Sequence, residues 1–348
     1  MLKGFMMKDS LPQVSILWVN YNSMGIIDVV KKSLDGIKDL DYPRYEVIIV
    51  DNGSTDGSFE AVKSHVERIG LKARIVRLSR NLGFTGGNNV AYRLASRESK
   101  YIVLLNNDAV PYPESLREMV EFLESMPSVA AVQGIIYKYG SKDIDTAGNY
   151  LTELLTVYMV KMRPPKPMPI TYASGAYCVI KRSALVRAGL VDRLFPWEAF
   201  AYFDDVYLGL KLWSSGFKVY TLPVDAATHM RGGTFGRVRK WQLYYGLRSW
   251  AAWTFMIESR FSFLALTFCI RAAIRHGLVK AVIDGYKLAK RLGERFSAHK
   301  IPMVRIEKLY KVPIYMFSRE PLTRDIQQHI YKMFKMFKLG SNPRYFLQ

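Results

Sequence analysis

The chain has 348 residues, 49% hydrophobic and 13% aromatic, which is enough for one large domain with an appendage or for two domains, and excludes a disordered chain. Its net charge of +20 is unevenly placed: residues 237–348 hold 22 Lys/Arg against 6 Asp/Glu, and residues 1–236 hold 28 against 24. A near-neutral front joined to a strongly basic back predicts an anionic partner for the back, whether a membrane surface, nucleic acid or another polyanion.

In chain order, Val14–Val19 reads as a strand ending in Asn20-Tyr21-Asn22-Ser23, followed by a helix over 26–34. Tyr45–Val50 is a second strand that ends at Asp51 and the loop NGSTDGS, and 58–69 is a helix with Ser58 as a possible cap. After a third strand over 73–78, RNLGFTGGNN (Arg80–Asn89) opens a helix running to about Ser96. Tyr101–Leu105 is a continuous apolar run, as expected of a parallel strand covered on both faces. It ends in Asn106-Asn107-Asp108, and a helix follows over 114–125. Alternating strands and helices predict an α/β fold with a parallel sheet built from right-handed crossovers. A further strand is expected over 129–134. Pro164, Pro165, Pro167 and Pro169 mark an irregular connection across 135–169. Strand 171–180, a short helix over 182–188, a helix over 206–215 and a last strand over 218–222 follow, then His229 and Gly232-Gly233-Thr234.

From Arg239 the pattern becomes helical and aromatic-rich. Trp241 to Met256 form one helix, with two more expected over 261–275 and 278–292, and Tyr331–Phe337 interleaves aromatics with lysines. Glu258 and Arg260 interrupt the best apolar stretch, Ser249–Ile270, so no transmembrane helix is expected. The N-terminus lacks a long apolar core, so no signal peptide is expected. Cys178 and Cys269 form no CxxC pair and sit in apolar runs, which predicts buried free thiols.

Ligands of open α/β sheets sit at the carboxyl ends of the strands, where Asn20, Asp51 and Asp108 lie. Neither GxGxxG after the first strand nor GxxxxGK[ST] is present, so a nucleotide site here is of neither of those types. Gly83, Gly86 and Gly87 at a helix start offer a place for a diphosphate. Asp108 is a candidate ligand for Mg²⁺, which takes few protein carboxylates and fills its shell with water and phosphate oxygens. His229 is either a further ligand or a structural histidine. Asp204-Asp205 begin a helix, one as a capping carboxylate and the other as a candidate general base.

Together VSILWVNYNS (Val14–Ser23), VDNGSTDGS (Val50–Ser58), RNLGFTGGNN, LLNNDAVP (Leu104–Pro111), ASGAYCVIKRSAL (Ala173–Leu185), FDDVYLGLKLWSSGFKV (Phe203–Val219), HMRGGT (His229–Thr234) and YYGLRS (Tyr244–Ser249) resemble the family 2 glycosyltransferases of GT-A fold, in their rhamnosyltransferase-like branch, over roughly residues 12–290. The resemblance implies a Rossmann-like, mostly parallel sheet flanked by helices, followed by a basic, aromatic-rich helical C-terminal region. The catalytic domain would be 1–236, with a nucleotide-sugar half near 12–134 and an acceptor half near 135–236, and 237–348 would be a helical membrane-surface region. By resemblance Asp51 recognises the nucleotide base, with Asn20, Asn22, Ser54, Asn81, Gly86, Asn89 and Asn107 around the nucleotide-sugar. Asp108 binds the metal, Mg²⁺ or Mn²⁺, with His229. Asp205 is the catalytic base beside Asp204, and Ser174, Gly175, Trp197 and Glu198 face the acceptor. Asn106 stands where the first carboxylate of a DxD motif is expected, and Tyr207 where the family often has Asp.

The implied function is inverting transfer of a sugar from a UDP-, dTDP- or GDP-linked donor to a lipid-linked or glycan acceptor. The basic, aromatic back places it in the cytoplasm, peripheral on the inner face of the cell membrane and against its anionic lipid. Nucleic-acid binding through the basic tail is the alternative from another class, but it leaves Asp51, Asp108 and Asp204-Asp205 unused, so no nucleic acid is expected. A catalytically inactive sugar-binding homologue is the other alternative.

Overall fold

A computed structural model describes residues 11–231 and 239–305. The Gly232-Gly233-Thr234 turn and the Tyr331–Phe337 segment lie outside the described residues. In chain order the elements are β1 (Val14–Asn20), α1 (Ile27–Lys38), β2 (Tyr45–Asp51), α2 (Ser58–Ile69), β3 (Ala73–Arg77), α3 (Gly83–Leu94), β4 (Tyr101–Asn106), β5 (Ala109–Pro111), α4 (Ser115–Ser125), β6 (Val129–Lys138), β7 (Ile144–Thr146), β8 (Asn149–Thr152), β9 (Val157–Met159), β10 (Met168–Pro169), β11 (Tyr177–Lys181), α5 (Arg182–Arg187), α6 (Asp204–Ser214), β12 (Lys218–His229), α7 (Arg239–Met256), β13 (Ile257–Glu258), α8 (Ser262–Arg275), α9 (Val279–Leu292), β14 (Phe296–Ser297) and β15 (Met303–Val304). They fall into two compact units, Met1–Gly148 with Met162–Arg239, and Asn149–Lys161 with Lys240–Gln348.

The first unit is built on a ten-stranded sheet in the order β10-β12-β6-β11-β4-β1-β2-β3, with β5 on β12 and β7 on β6. β3, β2, β1 and β4 run parallel. Their apolar runs do not alternate because helices cover both faces: Ile16, Leu17, Trp18, Ile48, Ile49, Ile102 and Val103 are all fully buried. Each such side chain contributes about 1.5–3 kcal/mol. Trp18 Nε1, a polar atom that this packing carries inside, donates to Ser33 Oγ at 3.1 Å.

β11 enters antiparallel between β4 and β6 and turns the parallel sheet into a mixed one. β6 and β12 are parallel to each other and longer than expected. Pro223 reads as a strand end in sequence, but register shifts between Thr221 and Ala227 carry β12 past it to His229. The expected irregular stretch 135–169 holds the end of β6 and the short strands β7 to β10. The expected strand 171–180 is strand only from Tyr177; its first part is a bend that carries Ser174 and Gly175.

In the second unit α7, α8 and α9 pack through small residues. A Cβ on Gly285 of α9 would lie 2.3 Å from the carbonyl oxygen of Arg248 and 2.7 Å from Ala251 Cβ on α7. Ala265, Cys269 and Ala273 form the buried face of α8. Trp250 and Trp253 are 5% and 3% exposed, and Trp250 Nε1 donates to the Leu154 carbonyl at 3.0 Å. These tryptophans, expected at the outer surface of the basic region, are core residues. Arg260 pairs with both carboxylate oxygens of Glu153 at 3.0 Å. Cys178 and Cys269 are free and buried. Among the described residues no helix is long and apolar enough to cross a membrane.

Candidate active site

The carboxyl ends of β1, β2 and β4 bring Asn20, Asp51 and Asn107 into one hydrogen-bond network. Asn20 Nδ2 donates to Asp51 Oδ1 (2.9 Å), Ser54 Oγ (3.3 Å) and Ser58 Oγ (3.2 Å). Its Oδ1 accepts from Ser23 Oγ (2.5 Å) and Asn107 Nδ2 (3.2 Å). Ser54 donates to Asp51 through both N–H (3.0 Å) and Oγ (2.6 Å). The Asp51 carboxylate therefore shapes the loop that follows β2. Asn22, at φ +43, ties that loop to β1: its N–H donates to Ser54 Oγ (3.0 Å) and its Oδ1 accepts from Thr55 N–H (2.8 Å).

The start of α3 differs from the sequence expectation. Gly86 and Gly87 do not open onto solvent: a Cβ on Gly86 would meet Leu82 at 2.5 Å and one on Gly87 would meet Val19 at 2.7 Å. They let the helix seat against β1. Asn89 is fully buried. Its Nδ2 donates to the Phe195 carbonyl (2.8 Å) and its Oδ1 accepts from the N–H groups of Leu194 (2.9 Å) and Phe195 (3.0 Å). Packing thus fills the space beside Gly86, and internal hydrogen bonds engage the Asn89 amide. Asn81 Oδ1 accepts from Asn52 Nδ2 (2.9 Å) and Gly83 N–H (2.7 Å), holding the turn into α3.

Asp108 lies between β4 and β5 and His229 ends β12, where β5 and β12 meet through the Ala109–His229 pairing. Their side chains are nearly buried, and His229 Nε2 lies 3.1 Å from Asp108 Oδ1. On the other side His229 Nδ1 lies 3.4 Å from Asp145 Oδ2, which also accepts from Arg231 Nε at 2.7 Å. Burial alone lowers the His229 pKa, but Asp108 and Asp145 outweigh it and push the value up to about 9. Among the described residues no group of three or more His, Cys, Asp or Glu side chains is arranged to hold a metal. One carboxylate and one imidazole nevertheless suit Mg²⁺ or Mn²⁺ whose remaining ligands are water and phosphate. Such a cation would replace the proton on Nε2. Asp145 was missed from sequence: it lies in the stretch 135–169, where no periodicity marks an element.

Asp204 and Asp205 start α6. The approach to them is strained. Phe200 has φ +62 and ψ −60, and Ala201 N–H donates to the Ala199 carbonyl at 2.7 Å, which is a tight γ-turn. Tyr202 follows at φ +63. Such positions cost about 1–3 kcal/mol each and persist only when the surroundings hold them. Here the Phe200 carbonyl accepts from Thr85 N–H at 3.2 Å, and Gly83 leaves the room that carbonyl needs, since a Cβ there would sit 2.4 Å from it.

Asp204 Oδ1 accepts from the Phe203 N–H at 3.1 Å. Asp205 lies against the bend before β11, where a Cβ on Gly175 would come within 2.6 Å of its Oδ1 and 3.4 Å of the Phe84 ring. That Oδ1 is buried and makes no hydrogen bond among the described residues. Burial, then the negative charge of Asp204, hold the Asp205 carboxyl well above the usual carboxylate range; the Gly175 N–H beside the carboxylate, and to a smaller extent the His229 charge, partly oppose them. Burial also raises Asp204. Ala173, Cys178 and Leu208 line a small cavity with Asp205.

Ser174 N–H donates to the buried Gln133 Oε1 at 2.8 Å, fixing the bend. Trp197 packs toward α3 beneath the Arg93 guanidinium, 5.2 Å from its ring centre, and Glu198 is exposed. Tyr207 is buried and stacks on Phe203 at 5.6 Å.

Residues 15–188, half of the chain, match the model of glycosyl transferase family 2. The chain belongs to that family. The putative teichuronic acid biosynthesis glycosyltransferase TuaG of Bacillus subtilis is 29% identical over 112 residues, 32% of this chain and 42% of TuaG. The poly-beta-1,6-N-acetyl-D-glucosamine synthase of Staphylococcus aureus strain MSSA476 is 22% identical over 67% of this chain and 53% of its own length. The chain thus spans about half the length of the curated relatives it matches. Among solved structures, the mannosyltransferase PcManGT of Pyrobaculum calidifontis in complex with GDP-Man and Mn²⁺ superposes with a TM-score of 0.53 at 20% identity, over 96% of this chain and 89% of that one. S. aureus TarS 1–349 in complex with UDP-GlcNAc gives 0.53 at 15% identity, over 93% and 92%. The family 2 chain has the GT-A fold of these neighbours, a curled mixed sheet flanked by helices.

Proposed function

We propose that this family 2 glycosyltransferase moves a sugar from a nucleotide-diphospho-sugar to an acceptor with inversion at the anomeric carbon, and that Asp205 is the general base. The observation that carries the reading is the Asp205 carboxylate: an oxygen, Oδ1, with no hydrogen-bond partner among the described residues, and a raised affinity for a proton. A general base needs an unengaged lone pair and a pKa near the working pH.

Asp205 takes the proton of the acceptor hydroxyl. The acceptor oxygen forms its bond to the anomeric carbon as the bond from that carbon to the diphosphate breaks, and the diphosphate leaves with the electron pair. The transition state carries oxocarbenium character. Asp204 keeps a negative charge beside the base and raises its proton affinity. The loops after β1 and β2, held by Asn20, Asn22, Asp51 and Ser54, receive the UDP-, dTDP- or GDP-nucleotide. The neighbours solved with GDP-Man and with UDP-GlcNAc support that donor class. Asp108 and His229 would hold Mg²⁺ or Mn²⁺, the latter present in the PcManGT complex; when bound, the ion offsets the charge that develops on the leaving diphosphate. The acceptor is a lipid-linked glycan or polyprenyl phosphate at the cytoplasmic face of the cell membrane, a reading motivated by the +16 charge of residues 237–348.

The test is a thermal-shift panel of nucleotide-sugars with and without Mn²⁺, followed by donor turnover. One nucleotide-sugar is expected to stabilise the protein more with Mn²⁺ than without. Asp205→Asn is expected to keep that stabilisation and lose turnover. Protein that no nucleotide-sugar stabilises, or an Asp205→Asn variant with full turnover, overturns the proposal.

A further inference from the structure

We propose that the outward faces of α8 and α9 form the surface by which this protein docks on an anionic bilayer. The inference rests on the membrane reading and narrows it to particular side chains. Two of the tryptophans expected to do this from sequence, Trp250 and Trp253, are spent on the core. What the fold leaves outside on α8 and α9 is a mixed aromatic and aliphatic set. On α8, Phe263 is 80% exposed and Ile274 64%, with Ile270 also exposed. Their spacing (i, i+7, i+11) puts them in one stripe, opposite the packed Ala265, Cys269 and Ala273. On α9, Val279, Ile283 and Tyr286 are exposed at i, i+4 and i+7, opposite the packed Ala281, Gly285 and Leu288.

In both helices basic residues follow the stripe by one position: Arg271 and Arg275 after Ile270 and Ile274, Lys280 and Lys287 after Val279 and Tyr286. One position is about 100° around a helix, so each apolar stripe has a basic row along the same side. The one acidic residue of the two helices, Asp284, is bonded to the Tyr244 hydroxyl. An apolar stripe flanked mostly by positive charge, its one carboxylate, Asp284, engaged by the Tyr244 hydroxyl, matches the boundary between acyl chains and anionic headgroups, where long basic side chains reach back to the phosphates. A protein partner or a second copy of this chain would have to answer that net positive charge, and this unit is itself basic. At 14 residues each helix is about 21 Å long, too short for a hydrocarbon core of about 30 Å, so the helices lie on the membrane.

The test uses the full chain and vesicles of equimolar phosphatidylcholine and phosphatidylglycerol, with phosphatidylcholine vesicles alongside. Wild type is expected to sediment with the anionic vesicles at low salt and to be released as salt rises. A variant with Phe263→Ser, Ile270→Ser, Ile274→Ser and Ile283→Ser is expected to bind at least about tenfold more weakly, while its thermal midpoint and its stabilisation by donor nucleotide are unchanged. Because both native cysteines are buried, an environment-sensitive dye on Phe263→Cys is expected to shift to the blue on the anionic vesicles. The same dye on Lys63→Cys, an exposed position of α2, is expected not to. If wild type stays in the supernatant with anionic vesicles, the membrane reading itself falls. If wild type binds but the serine variant binds equally well, or the dye at position 263 does not respond, this face is the wrong one and the membrane reading survives. Wild type that self-associates without lipid, where the serine variant is monomeric, makes a second copy the occupant and overturns the proposal, as does binding to DNA in place of vesicles.

Discussion

Asp204 and Asp205 differ in what their oxygens do. Asp204 Oδ1 accepts from the N–H of Phe203, the residue before α6, whereas Asp205 Oδ1 has no hydrogen-bond partner among the described residues. Asp205→Asn should therefore cost ~10²–10⁴ in kcat with donor affinity unchanged; a milder loss than that of Asp204→Asn would reverse the two roles. Both carboxyls are raised above the ordinary Asp value, so the folded state holds these protons more tightly than the unfolded chain. The stability this contributes is full below the unfolded value, about pH 4, and is lost as pH rises through the raised values. Asp205→Asn should accordingly have a higher thermal midpoint than wild type at pH 8, with the gap narrowing toward pH 4. The rate of wild type should fall on acidification at a pH above the usual carboxylate range. At the neighbouring corner, Asp145 touches His229 on the side away from Asp108. Carboxylates that orient a metal-binding imidazole typically contribute 10–100-fold in affinity. Asp145→Ala should weaken Mn²⁺ binding by about that factor, read from the free-ion signal in electron paramagnetic resonance. An unchanged affinity would remove Asp145 from the site.

Among the elements, α3 is tied to residues 190–195 by Asn89, Tyr92 and Arg93. Asn89 makes three hydrogen bonds to residues 194–195 from a fully buried position, and so fixes the helix to the loop that leads to Asp204. Asn89→Ala leaves a buried carbonyl and two N–H groups without partners, at about 1–3 kcal/mol for each group left unsatisfied. The variant should unfold at lower urea concentration with an unchanged m-value, by roughly 3–9 kcal/mol in all. Loss of turnover without loss of stability would show instead that Asn89 contacts the donor. The same element shows how sequence can mislead about glycine. Gly86 and Gly87 read as a phosphate cradle, yet contact with Leu82 and Val19 explains them. Periodicity identifies a helix start but not which side of it faces the sheet.

At the scale of the whole molecule, a donor that binds only the folded state stabilises it by mass action, about 2.7 kcal/mol at a hundredfold excess over Kd. A nucleotide-sugar at that excess should raise the thermal midpoint measurably, and Asp108→Ala should abolish the part that depends on Mn²⁺. Equal shifts in wild type and Asp108→Ala would sink the metal assignment. Much of this molecule was legible in the sequence. The order of β1, β2, β3 and β4 with their helices, and the polar residues at the strand ends, follow from local signals: uninterrupted apolar runs, helix starts and turn residues. The placement of Asn20, Asp51 and Asp108 at or just after strand ends, and of Asp205 at a helix start, was readable for that reason. Asp145 and Gln133 were not, because they act on residues dozens of positions away through strand pairings that no local pattern encodes. Pro223 hid the second half of β12 because a register shift, a property of the pair of strands, carries the chain past it. Composition alone shows that the back of the chain is basic and rich in apolar residues. Which of the described residues face out depends on helix packing, which through Ala251, Ala265 and Gly285 turns Trp250 and Trp253 inward and leaves Phe263, Ile274 and Ile283 exposed. Composition counts side chains, whereas exposure depends on which face each helix gives to its neighbours.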